Sequence, residues 1–180
     1  MTCITFNYHS NTMSDQRDII LNEEQILQKI KRMAYQICEH NLKEKSIVLV
    51  GIYQQGYHLA TFLAKELKEV APFEVIIAKL ELNKEKPLNG EILLNIPESN
   101  LDGKAIVLVD DVLNTGKTMA YSLKPFLNRN LKKLETAVLV NRSHKRFPIS
   151  ANYQGIELAT TMSEHIVVVL EKDQKFAAFK

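Results

Sequence analysis

Two short runs, SIVLVGI at residues 46–52 and KAIVLVDDV at residues 104–112, are apolar at four or more successive positions and end in glycine or acid. A strand with one wet face alternates apolar and polar residues, so an unbroken apolar run needs cover on both faces. Each run is followed by a tight turn and then by helical spacing: Leu59, Phe62, Leu63 and Leu67 after Gly56, and Met119, Leu123, Phe126 and Leu127 over residues 116–128. Further strands are expected in FEVIIAKLEL (73–82), LETAVLVNR (134–142) and HIVVVLEK (165–172). Strands alternating with amphipathic helices predict an α/β fold with a parallel sheet flanked by helices. In such sheets ligands bind beyond the carboxyl ends of the strands, which singles out the turns at 51–56 and 110–118.

The remaining segments fit around that frame. Asn22 and Gln25 have capping-box spacing, and Ile26, Leu27, Ile30, Ala34 and Ile37 fall on one helical face. NKEKPLNGE (83–91) reads as a charged loop, ILLNI (92–96) as a short strand pairing back, and the Pro- and Gly-bearing residues 144–158 as a connection. Residues 1–21 are expected to be an N-terminal tail and residues 22–180 one domain. A formal net charge of +2 confines any nucleic-acid site to a local patch. Cys3 and Cys38 have no metal-site spacing and suit a reducing, cytoplasmic compartment, and no apolar window suggests a membrane span or a secretory leader.

The stretch IVLVDDVLNTGKTM (106–119) carries the chemistry. Its GKT ending invites a P-loop reading, but Asp111 stands where that motif needs its first glycine. A receiver domain also has paired acids after a strand, yet the strand at 134–142 offers no phosphoacceptor Asp. What remains is a strand-to-helix turn in which Asn114, Thr115, Gly116, Lys117 and Thr118 bring unpaired N–H groups, a helix dipole and two hydroxyls to one small space, a cradle for a phosphate monoester. Asp110 and Asp111 would repel phosphate but suit hydroxyls, because a carboxylate accepts two hydrogen bonds from a vicinal diol. A 5-phosphorylated ribose presents both groups.

This stretch resembles the phosphoribosyl-pyrophosphate (PRPP) signature of type I phosphoribosyltransferases. The resemblance extends over about residues 23–172. LVGIYQQG (49–56) and the block AVLVNRSHKRFPISANYQGIELATTMSEHIVVVLE (137–171) bring it nearest to the pyrimidine-operon attenuation protein and uracil phosphoribosyltransferase subfamily. It implies a small hood beside the sheet, drawn from the C-terminal segment and the chain start. It further implies ribose hydroxyls on Asp110 and Asp111, the 5-phosphate on Asn114 to Thr118, and pyrophosphate against Tyr53, Gln54, Gln55 and Gly56. A loop over 83–91 would close on the ligand with Lys84 and Lys86. Arg142 and Met162 would approach the nucleobase. Mg2+ would be carried by PRPP, the acceptor would be a pyrimidine such as uracil, and the assembly would be at least a homodimer.

Two departures from the family divide the functional expectation. Tyr53, Gln54 and Gln55 replace basic residues beside the leaving pyrophosphate, and the 83–91 loop has lysines but no arginine. A PRPP-dependent transferase and a weakly catalytic PRPP- or nucleotide-binding regulator acting through RNA both remain open. Lys145 and Arg146 are either part of an RNA patch or a solvated loop, and Asp110 is either a site residue or a strand-end cap.

Overall fold

A computed structural model describes residues 18–82, 92–142, 144–159 and 165–180. The loop at 83–91 with Lys84 and Lys86, and Met162, lie outside the described residues.

The sheet has six strands in the order β4-β3-β2-β5-β6-β7, formed by β2 (Ser46–Ile52), β3 (Glu74–Glu81), β4 (Leu93–Leu94), β5 (Ala105–Leu113), β6 (Lys133–Arg142) and β7 (Tyr153–Leu158). All neighbours run parallel except β4, which returns antiparallel to β3 as the sequence suggests. β2 is buried at every position, and its alternate residues divide between two cores: Ile47 and Leu49 face one, Val48 and Val50 the other. Burial of each such side chain contributes about 1.5–3 kcal/mol, so a covered central strand is far more stable than one left half wet.

The first core is closed by α1 (Glu23–His40) and α2 (Gln55–Val70). α1 begins with the expected capping box: Asn22 Oδ1 accepts from Gln25 N at 2.9 Å and Gln25 Oε1 accepts from Asn22 N at 3.0 Å. Such a cap contributes about 1 kcal/mol. Its buried face runs through Ile26, Ile30, Met33, Ala34 and Ile37, which leaves Leu27 exposed instead of facing inward. One residue is a 100° turn, and Leu27 falls off the stripe that Ile26 and Met33 centre.

On the other face, the single helix expected over 116–128 is two: α3 (Lys117–Ser122) and α4 (Lys124–Leu127). Pro125 has no N–H to continue α3 and its ring crowds the preceding turn, so the chain restarts with Pro125 in a first turn, where proline is tolerated. Met119 and Phe126 are buried as expected, whereas Leu127 is 70% exposed.

A second sheet, β1-β9-β8, forms the hood from β1 (Ile19–Leu21), β8 (Ile166–Leu170) and β9 (Lys175–Phe179). The end of the expected tail is therefore structured: Leu21 is buried, and Asp18 O accepts from Phe179 N at 3.1 Å. The run at 165–172 serves the hood and not the main sheet. The sixth sheet strand is β7, within the segment read as a connection. Arg32 from α1 donates Nη2 to the carbonyls of Gln154 at 2.8 Å and Gly155 at 2.6 Å, covering acceptors that an edge strand would otherwise expose.

Candidate functional site

The two turns singled out in the sequence meet at the carboxyl ends of β2 and β5, and a glycine brings them together. A Cβ at Gly56, in the first turn of α2, would lie 2.6 Å from the Val109 carbonyl oxygen and 2.9 Å from Asp110 Cα. Only a residue without a side chain lets α2 start this close to β5.

Asp110 is 4% exposed, and its Oδ1 accepts from Asp111 N at 3.1 Å. Asp111 is half-buried on the same strand. β5 then turns through Asn114 and Thr115 to Gly116, whose φ of +80° caps α3 in the left-handed region that a side chain disfavours. The turn encloses a cavity of about 50 Å³ lined by Asp110 and by residues 112–119. Asn114, Thr115, Gly116, Lys117 and Thr118 are thus grouped with Asp110 around one small space. Lys117 N donates to Thr115 Oγ1 at 3.3 Å, which turns that hydroxyl toward the start of α3.

Two partners hold the turn from β6 and the segment after it. Arg142, at the end of β6 and 2% exposed, donates Nη1 to Asn114 Oδ1 at 3.1 Å. Arg146 N and Phe147 N both donate to Thr115 O, at 2.9 and 3.0 Å. Arg142, expected beside the nucleobase, is thus tied to Asn114 of the turn after β5. It also lines a cavity of about 420 Å³ with Asn114, Thr115, His144, Lys145, Arg146 and His165. That cavity has five basic side chains and no acid among its described lining residues. His144 stands in the basic run 141–146 but has no role assigned to it from the sequence, and nothing in the local pattern marks His165, which comes from a different strand end.

On the other side of β5, the turn after β2 presents Tyr53 and Gln54, both exposed and joined by a cis peptide. Gln55 opens α2, and its Oε1 accepts from Leu170 N of the hood at 2.9 Å. Lys79 of β3, another residue missed in the sequence, places Nζ 5.3 Å from the Tyr53 ring centroid and 2.6 Å from Glu81 Oε1. The hydrogen-bonded Glu81 carboxylate holds the Lys79 ammonium above its ordinary pKa. The place of Lys79 opposite Gly51 is a matter of strand register, which no local pattern in the sequence marks.

Chemically, the arrangement offers backbone N–H groups to an anion at the start of α3, with two carboxylates beside them suited to hydroxyls. Among the described residues, no three His, Cys, Asp or Glu side chains converge as a metal site.

Known proteins resemble this chain in sequence and in fold. The family model described as "Phosphoribosyl transferase domain" matches residues 16–174. The bifunctional protein PyrR of Fusobacterium nucleatum is 36% identical over 86% of this chain and 91% of its own. That of Bacillus subtilis is 31% identical over 88% and 92%. Among solved structures, hypoxanthine phosphoribosyltransferase of Trypanosoma cruzi superposes with a TM-score of 0.75 at 19% identity, over 90% of this chain and 95% of that one. A hypoxanthine-guanine phosphoribosyltransferase of Bacillus anthracis superposes at 0.71 with 22% identity, over 91% and 97%. At that identity these two speak for the fold. The matched domain, the PyrR relatives and the β5 turn together show that this chain belongs to the type I phosphoribosyltransferase family, in the subfamily of the PyrR proteins.

Proposed function

We propose that the protein is a PRPP- or nucleotide-binding regulator of pyrimidine genes that acts through RNA and has weak phosphoribosyl transfer. One observation carries this reading: the two ligand turns are unequally equipped. The turn after β5 keeps its acids, its left-handed glycine and its enclosed cavity. The turn after β2 brings no charge of its own, and the amide oxygen of Gln55 is engaged by the hood. Binding the ribose and 5-phosphate needs only the first turn, whereas stabilising a departing pyrophosphate needs charge at the second.

In this reading Asn114 to Thr118 hold the 5-phosphate and Asp110 and Asp111 the ribose hydroxyls. Mg2+ rests on the ligand's phosphates, where it screens their charge. The basic cavity of His144, Lys145 and Arg146 supports contact with an RNA backbone. Because Arg146 and Phe147 grip the Thr115 carbonyl, one segment serves both the ligand turn and that basic surface. The relatives' name, bifunctional protein PyrR, suits a chain with two such tasks. A second reading, a working transferase that joins phosphoribose to a pyrimidine such as uracil and releases pyrophosphate, is favoured by the retention of both acids.

The test is calorimetric titration of the full chain with PRPP and Mg2+, beside Asp110→Asn/Asp111→Asn, followed by uracil. The expected result is binding that weakens at least about tenfold in the double variant, with little pyrophosphate released on adding uracil. Rapid pyrophosphate release would instead establish the transferase. Absence of PRPP and nucleotide binding would refute the site. Affinity for a pyrimidine-gene leader RNA should fall steeply with salt, and RNA binding indifferent to salt would refute the role of the basic cavity.

A further inference from the structure

The turn after β2 lacks a cation, but the neighbouring strand brings one to it. In the register of β2 and β3, Gly51 pairs with Lys79 and Ile52 with Leu80, and Tyr53 N then donates to Leu80 O at 2.8 Å. The sheet therefore carries the Lys79 side chain to the edge of the 53–56 turn. Ala78 and Leu80 face the core, so alternation turns Lys79 and Glu81 together to the opposite face. There the Tyr53 ring, 5.3 Å from Nζ, steadies the ammonium.

We propose that Lys79 supplies the positive charge of the pyrophosphate subsite and is the residue by which the protein distinguishes a pyrophosphorylated ligand from a monophosphate. The proposal rests on the reading that the β5 turn takes a 5-phosphoribosyl ligand. Two observations support it besides proximity. The ion pair between Lys79 and Glu81 leaves the two side chains 32% and 43% exposed, and a pair so exposed is weak enough for the ammonium to exchange its partner for a phosphate. The first turn of α2, which follows Tyr53 and Gln54 directly, contains no acid, so no acid of that turn opposes an anion there. Glu81 would then act as a competitor that Lys79 leaves when PRPP binds. A lysine reaching in from β3 gives a point charge without the directional fork of arginine, which suits recognition of pyrophosphate more than guidance of its departure.

The experiment compares PRPP with ribose 5-phosphate, each with Mg2+, by titration of the full-length chain. For Lys79→Gln, PRPP affinity is expected to fall about tenfold while ribose 5-phosphate affinity stays within about twofold, as expected for loss of one charge-assisted contact. Lys79→Arg should retain most of the PRPP affinity, and Glu81→Gln should raise it about threefold by removing the competitor. Unchanged PRPP affinity in Lys79→Gln, or an equal loss for both ligands, would overturn the assignment of Lys79 alone. If the unaltered protein binds neither ligand, the reading of the β5 turn falls and Lys79 falls with it.

Discussion

Gly56→Ala tests the contact on which the site depends. The new methyl would meet the Val109 carbonyl oxygen at 2.6 Å, Asp110 Cα at 2.9 Å and Asp110 Oδ1 at 3.1 Å. The first two are strand backbone and cannot swing aside, so the N-terminus of α2 must lift from β5. Overpacking of this kind costs about 1–3 kcal/mol. Alanine recovers part of that, less than the full ~1 kcal/mol helix preference over glycine because the position lies in the first turn. The net loss is about 1–2 kcal/mol, which lowers the melting temperature of a chain this size by about 2–8 °C. The lifted helix also carries Gln54 and Gln55 away from Asp110, so PRPP affinity should fall further than stability alone requires. Thermal unfolding with and without PRPP reads both effects. A melting temperature within about 1 °C of the unaltered protein, together with unchanged PRPP affinity, would refute the claim that this close approach is obligatory.

Two other expectations follow from buried polar groups. Arg142→Lys keeps the charge but removes the planar fork that reaches Asn114, so ribose 5-phosphate affinity should drop about five- to tenfold; full affinity would show that the turn at 114–118 stands without this support. Burial, reinforced by the charge of Glu135, pushes the Tyr153 phenol well above its ordinary pKa, and its hydroxyl meets His40 Nδ1 at 3.2 Å. With the folded pKa raised, the unfolded chain loses this proton first, so stability held below about pH 10 declines as pH rises beyond it, by up to about 1.4 kcal/mol per unit. Denaturant unfolding between pH 9 and 11 should show that decline, and Tyr153→Phe should flatten it; an equal slope in both proteins would refute the linkage.

The legible parts of this fold are those whose signal is local. β2 and β5 announce themselves because burial on both faces demands unbroken apolar residues, and α1 because Asn22 and Gln25 satisfy each other within one turn. β7 was hidden because an edge strand needs only partial burial, and Gly155 within it reads as a break. The run at 165–172 read correctly as a strand but not as part of the hood, since periodicity carries no information about which sheet a strand joins. The break at Pro125 could have been anticipated from its missing N–H; the outward turn of Leu127 could not.

For the candidate site, the residue order alone marked the turn proposed to hold an anion and the two acids before it. A strand ending in Asp110 and Asp111, followed by Asn114 to Thr118 with glycine at the left-handed position, specifies that chemistry within nine successive residues. Tertiary structure decided everything that depends on neighbours in space. It placed Arg142 against Asn114, gathered His144 and His165 into one basic cavity, tied Gln55 to the hood, and set Lys79 beside Tyr53. Local motifs arise from hydrogen bonds and backbone angles a few residues apart, which the chain encodes directly. Which charges share a pocket is set by strand order and register, and these emerge only when the two cores close on both faces of the sheet.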